Sequence, residues 1–248
     1  MHRSGTSMIA RILGECGFYI GEPEELVPAT RWNPEGHFEH VEFLHLNKAV
    51  LRALLGSWKR PPRRLAWRLL RRRLAPLRDE AVALLRRLDR HSPWAWKDPR
   101  TSLTLPFWLP LVPDLHVVVC VRDPLSVAGS LTARDGLSTR AGLKLWDAYN
   151  REVFRAAPPD RTIVTRYEAY LADPEREIRA LANRLGLPVS ASVAASAVAT
   201  VRADLWSQRP TSGERLPAAI ADRYRDLLRL ADGESPGAED GVNPSLPR

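Results

Sequence analysis

The chain reads as an α/β protein, with a parallel sheet flanked by helices in three layers, and three observations predict this. Residues 116–121, His-Val-Val-Val-Cys-Val, form a continuous β-branched run, the mark of a strand buried on both faces of a parallel sheet. A second short strand is read over 162–165, and helical patterns fill the intervals at 124–134, 139–156, 175–185, 191–201 and 216–231. Strands that alternate with helices need crossover connections, which cover both sides of the sheet.

Taken in order, the first helix is announced by His2-Arg3-Ser4-Gly5-Thr6-Ser7, which runs straight into Met8, Ile9, Ile12 and Leu13 and predicts a helix to about Glu15. A glycine followed by two hydroxyl residues at a helix start presents free backbone N–H groups and the positive end of the helix dipole, an arrangement that attracts a phosphate. A turn-rich passage with Gly17, Gly21, Pro23, Pro28, Asn33-Pro34 and Gly36 follows, then a helix over 41–57 that stops before Pro61-Pro62. Between 60 and 90 arginines, including Arg71-Arg72-Arg73, interleave with Leu65, Leu69, Leu70, Leu74 and Leu77 at helical spacing, giving one or two amphipathic helices. Trp94-Ala95-Trp96-Lys97 reads as a short strand ending in a polar turn. Asp123 and Pro124 supply an N-cap and a first-turn proline for the helix after the main strand.

Phosphate-binding loops of this kind normally follow a central strand that aims them, whereas here the loop begins at residue 2. The expectation is that a first strand is missing from the N-terminus, or that another segment fills the centre of the sheet. The layout is one domain over 1–231 with a helical insert at about 41–92, and a tail over 232–248, rich in Gly, Pro, Ser and acidic residues, that is expected to be disordered.

Composition narrows the function classes. With 248 residues, 44% of them apolar and 27% charged, the chain has material for one sizeable core. Cys16 and Cys120 stand far apart in apolar contexts, which argues against a disulfide framework and for a reducing, cytoplasmic setting. The apolar runs are strand-length and give neither a signal peptide nor a membrane span. The net charge of +8 calls for anionic partners: a nucleotide, an acidic glycan or a membrane face. No aromatic-interleaved platform or groove-reading motif points to nucleic acid. The six histidines are scattered and no Cys/His ligand spacing occurs, so no metal is expected.

Four segments carry chemistry. In the opening loop, the position after Gly5, where a nucleoside-triphosphate loop has lysine, is Thr6, and the cation is Arg3, whose guanidinium fork can grip an anion in two-pronged fashion. Arg122 at a strand's carboxyl end and Ser130 two turns into the next helix can converge on one anion over the sheet edge. Lys97, one of four lysines, opens Lys97-Asp98-Pro99-Arg100 at a strand end, where an ammonium can act as an electrophilic helper, with Arg100 beside it. Tyr167 and Glu168 end the last strand with an aromatic that can stack on a base or pack beneath it. Each has an ordinary structural alternative: a capped helix, a packing serine, a salt-bridged turn, a core tyrosine.

In this order the segments resemble the sulfotransferases that use 3′-phosphoadenosine 5′-phosphosulfate, or PAPS, in particular bacterial members and those similar to tyrosylprotein sulfotransferases. The resemblance covers about residues 2–168 and implies a P-loop nucleotide-hydrolase-like fold, PAPS as donor, and in-line transfer of a sulfuryl group to a hydroxyl, or less often an amine, of a glycan, lipid, metabolite or peptide. It implies that Arg3, Ser4, Gly5, Thr6 and Ser7 hold the 5′-phosphosulfate, that Arg122 and Ser130 hold the 3′-phosphate, that Tyr167 lies beside the nucleotide, and that Lys97 contacts the transferring group. The chain departs from the cytosolic small-molecule type, which has lysine near the Arg3 position, and lacks a clear C-terminal Arg-Lys-Gly, for which Arg202 and Arg209 are the substitutes. The acceptor base is expected in the polar loop, first Glu39, then Glu22, with His37 in the same Asn33-Pro34-Glu35-Gly36-His37-Phe38-Glu39 stretch, its pKa raised toward neutral by partial burial. Two rivals stand beside this reading, a P-loop kinase-like phosphotransferase and a non-catalytic basic binder of acidic glycan or membrane surfaces.

Overall fold

A computed structural model describes residues 1–202 and 215–234. The architecture is helix-rich α/β with parallel strands. Helix α1 (Thr6–Glu15) is followed by α2 (Val41–Ala53), α3 (Arg64–Leu70), α4 (Ala75–Leu88) and α5 (Thr101–Trp108). Strand β1 (Val117–Val121) leads into α6 (Pro124–Asp135) and α7 (Thr139–Ala156), then β2 (Thr162–Arg166), α8 (Tyr167–Ala172), α9 (Pro174–Arg184), α10 (Ala191–Ala199) and α11 (Ala218–Ala231). The two strands pair in parallel with Val117 opposite Thr162 and Val121 opposite Arg166, and they form the one sheet among the described residues.

Strand alternation splits β1 between two cores. Val119 and Val121, with Val164 of β2, face a cluster built from Val127, Leu131, Trp146, Tyr149 and Val153 on α6 and α7 and from Ile220 and Leu227 on α11. Cys120 and Ile163 face the opposite side, against Ile9, Ile12 and Leu13 of α1, Tyr170 of α8, Ile178 and Leu181 of α9 and Ala197 of α10. Both faces are therefore covered, as the unbroken β-branched run requires. A third cluster joins α2, α4 and α5 through Phe43, Leu46, Leu84, Leu88, Phe107 and Trp108, and forms the helical region between the loop and the sheet.

The caps follow local chemistry. Asp123 accepts a hydrogen bond from the Ser126 amide at 2.7 Å, Pro124 opens α6, and Gly136 ends it at φ 66°. At the α6–α7 contact Gly142 lies against Ala128, where a Cβ would sit 2.8 Å from the Ala128 Cα.

Two expectations are corrected. Residues 94–97 form no strand; Trp94 makes an isolated parallel bridge with Tyr19. The reason is aromatic packing: the Trp96 ring stacks on Phe43 at 4.7 Å and lies 5.5 Å from Trp108, which ties the segment to α2 and α5. The helix expected over 41–57 ends at Ala53, because Leu55 turns into the left-handed region at φ 56°. The tail over 235–248 and Arg209 lie outside the described residues.

Replacing Gly142 with alanine should destabilise the protein. Helix propensity alone favours alanine by about 1 kcal/mol, yet the clash with Ala128 costs about 1–3 kcal/mol as overpacking. A lower melting temperature is expected; an increase would show that α6 and α7 can separate freely.

Candidate active site

The opening loop owes its shape to one glycine and one strained arginine. Gly5 caps α1 at φ 85°, and a Cβ there would sit 2.2 Å from the Tyr167 ring, so no other residue fits. Arg3 also has positive φ, 64°, a conformation that costs a non-glycine residue about 1–3 kcal/mol. It is held by its contacts: Arg3 Nε donates to Ser130 Oγ at 2.7 Å and Nη1 to the Trp32 carbonyl at 3.0 Å. Arg122 Nη1 donates to the Arg3 carbonyl at 2.9 Å, and its guanidinium lies 4.5 Å above the Tyr167 ring. Trp146 fixes Arg122 in turn by donating Nε1 to its carbonyl at 3.0 Å.

These contacts bring Arg3, Gly5, Arg122, Ser130 and Tyr167 into one cluster, with Arg3 and Ser130 alone 127 positions apart in sequence. Arg3 and Arg122 are direct neighbours, joined by the bond from Arg122 Nη1 to the Arg3 carbonyl. Tyr167 is packed beneath the loop and against Arg122, so it supports the cluster as well as lining the cleft. Ser4 and Ser130 are buried under the loop, while Thr6 and Ser7 line the cleft at the start of α1.

The cleft encloses about 400 Å³ and is lined by His2, Arg3, Gly5, Thr6, Ser7, His37, Glu39, Lys97, Arg122 and Arg134 among others. Burial first, and then the nearby charges of Arg134 and Arg122, lower the Arg3 pKa to about 10. The amides at the α1 start and these guanidiniums together fit a phosphate or sulfate group.

At the far wall sits an ion-paired network. Lys97 Nζ donates to Glu39 Oε1 at 2.8 Å, and Arg100 Nη1 reaches Glu39 Oε2 at 3.4 Å and Asp98 Oδ1 at 2.8 Å. Asn47 on α2 anchors it: its amide donates to Asp98 Oδ2 at 2.9 Å, while its oxygen accepts from Trp108 Nε1 at 2.8 Å and from Thr104 Oγ1. Burial pushes Glu39 toward its neutral form, but the adjacent Lys97 and Arg100 charges outweigh it and hold the carboxyl below its ordinary value. Burial lowers the Lys97 pKa against the opposing pull of Glu39. The raised carboxyl pKa expected for Glu39 is thus overturned by two cations in contact.

The polar loop folds over the cradle. Asn33 Nδ2 donates to Ser7 Oγ at 3.1 Å and also to the Gly36 carbonyl, Ser7 Oγ donates to the His37 carbonyl at 3.2 Å, and Glu35 pairs with Arg11 and with Arg202 at 3.0 Å. Arg202 thereby reaches the cleft lining. His37 Nε2 meets Thr30 Oγ1 at 3.1 Å, and burial lowers its pKa, so the ring is neutral at neutral pH. Glu22 does not join the site: it is exposed at the start of a short 3-10 turn, where its amide donates to Glu25 Oε2 at 2.9 Å.

Three groups were not singled out from sequence. His2 is buried, its ring 4.9 Å from Trp58 and 5.9 Å from Tyr149, with Nε2 lacking a partner. Arg134 stands on the last turn of α6, and Asn47 inside an amphipathic helix, and nothing in the local pattern marks either one.

A model of the Sulfotransferase family matches residues 1–191, and the chain belongs to that family. Among solved structures it is similar to the sulfotransferase domain from the Synechococcus PCC 7002 olefin synthase, with 18% identity and a TM-score of 0.48 over 93% of this chain and 90% of that one. No curated protein matches.

The protein should lose stability on acidification. Burial, with the positive charges of Arg100 and Arg134, holds the His2 pKa well below 6.5. As pH falls through 6.5 the unfolded chain takes up the proton and the folded one does not, so stability drops by at most about 1.4 kcal/mol per pH unit for this group. Urea unfolding from neutrality downward should show this slope, and His2→Gln should flatten it; an unchanged slope would mean the imidazole is charged in the folded protein.

Proposed function

We propose that this transferase moves a sulfuryl group from PAPS to a hydroxyl of an acceptor by in-line displacement. The observation that supports this reading best is the single cluster of Arg3, Gly5 and Arg122, with Ser130 bracing Arg3 from beneath, facing the Lys97–Glu39 pair across one cleft. PAPS supplies an activated sulfate, joined to the 5′-phosphate as a mixed anhydride, and a separate 3′-phosphate, two anionic groups carried by one adenosine. The Thr6 and Ser7 amides and Arg3 bind the 5′ end, and Arg122 binds the 3′-phosphate, while Ser130, which the resemblance assigns to the same phosphate, holds the Arg3 guanidinium from beneath. With the acceptor hydroxyl aligned, its oxygen bonds to sulfur as the bond from sulfur to the phosphate oxygen breaks, and the negative charge gathers on that leaving oxygen. Lys97, already desolvated, stabilises this charge. By analogy with phosphoryl transfer, the protein mainly positions the reactants and neutralises charge.

Glu39 takes the acceptor proton. Its basicity is suppressed while Lys97 and Arg100 hold it, and it rises when Lys97 turns to the sulfuryl oxygens. A second reading gives the proton to His37, whose ring is neutral, half-buried and bound to no carboxylate in the same cleft. Among the described residues no helix is long and apolar enough to cross a membrane.

Adenosine 3′,5′-bisphosphate should raise the melting temperature more than ADP does, because binding to the native state stabilises it. In a sulfate-transfer assay with a broad acceptor panel, Lys97→Ala should lower kcat by about 10² to 10³, and Arg122→Ala should erase the preference for the 3′-phosphorylated nucleotide. Glu39→Gln should lower kcat by about 10² or more while His37→Gln changes it little; the reverse order would assign the proton to His37. Equal stabilisation by both nucleotides would overturn the donor assignment.

A further inference from the structure

The positive charge of this protein is not spread over it. Between Phe43 and Arg78 the sequence holds eleven of the 37 Lys and Arg residues and none of the 29 Asp and Glu, so the remainder, with 26 cations, is slightly acidic. None of these eleven cations forms an ion pair with a carboxylate among the described residues, whereas most arginines elsewhere do. The proposed chemistry uses none of them.

The same stretch carries the exposed large apolar side chains of the described residues: Leu55 at 77%, Leu65 at 57% and Leu69 at 68% exposure. On α3 the division is by face. Trp67 and Leu70 turn inward against the cluster of α2, α4 and α5, while Leu65 and Leu69, one turn apart, point to solvent. Arg64 and Arg68 run beside them as a parallel row, and Arg71, Arg72 and Arg73 continue the exposed surface on the following 3-10 turn.

We infer that this surface docks on an anionic lipid bilayer. Arginines attract the negatively charged headgroups and the leucines enter the boundary between headgroups and acyl chains, the pattern of a helix that lies on a membrane. Other anionic occupants fit less of it. A nucleic acid or acidic glycan satisfies the arginines but gives the leucines no apolar environment, and a second copy would bring two cationic surfaces together. Ahead of α3 the same stretch holds Trp58, whose ring rests on His2 in the cleft lining and whose carbonyl accepts from Tyr149 Oη at 2.9 Å. The docking surface is therefore joined to the wall of the active-site cleft. This inference does not depend on the donor or acceptor.

The test is co-sedimentation of the full chain with phosphatidylcholine vesicles, with or without phosphatidylglycerol. Binding should require phosphatidylglycerol and weaken as sodium chloride is raised. Arg64→Glu with Arg68→Glu, and separately Leu65→Ser with Leu69→Ser, should each weaken it about tenfold or more without changing the melting temperature, since all four residues are exposed. No binding to the anionic vesicles, or binding that neither pair of substitutions changes, would overturn the inference. Binding to polyglutamate or duplex DNA as tight as to vesicles, and indifferent to the serine substitutions, would overturn it too, by making the surface a general polyanion binder.

Discussion

Cations that repel one another must be held close together for this site to exist, and the fold depends on how that is done. Arg3, Arg122, Arg134 and Lys97 line one cleft. Each is restrained by a neutral or negative partner that leaves part of its charge directed inward: Ser130 and the Trp32 carbonyl for Arg3, the Arg3 carbonyl and the Tyr167 ring for Arg122, Asp135 for Arg134, Glu39 for Lys97. The restraints come from the opening loop, the polar loop, α6 and α8, so segments far apart in sequence serve one electrostatic arrangement.

The sheet contributes little area but sets the direction. β1 delivers Arg122 at its carboxyl end and β2 delivers Tyr167 just beyond its own, one strand over, so the parallel register of Val121 with Arg166 is what puts the guanidinium over the ring. Opposite them, Asn47 performs an equivalent task with side-chain hydrogen bonds alone. Buried in α2, it fixes Asp98, which fixes Arg100, which helps hold Glu39. One wall of the cleft is set by backbone pairing and the other by a polar network.

Where local chemistry decides an element, the sequence revealed it. The β-branched run of β1, the Asp123-Pro124 start of α6 and the Gly5-Thr6-Ser7 start of α1 all declare themselves within a few residues. Where tertiary packing decides, local patterns misled or were silent. Trp94 and Trp96 look like strand residues but belong to an aromatic cluster with Phe43 and Trp108. Helix α5, with Pro106 inside it, escaped notice because its stability comes from burial rather than propensity. Residue types and order pointed to Arg3, Lys97, Arg122 and Ser130, yet the direct bond between Arg3 and Ser130 and the two-cation grip on Glu39 are three-dimensional facts that no spacing encodes.

The backbone of Arg3 carries a practical lesson. A loop kept in a left-handed turn by the hydrogen bonds of Arg3, at the mouth of a cation-rich cleft, offers the same charge and amides to any small doubly charged anion. If the phosphosulfate end binds there as proposed, phosphate or sulfate in a purification or assay medium would compete for that mouth, and donor affinities measured in such media would read as too weak. Kinetic work on this protein is better done in zwitterionic buffers with chloride as the counter-ion.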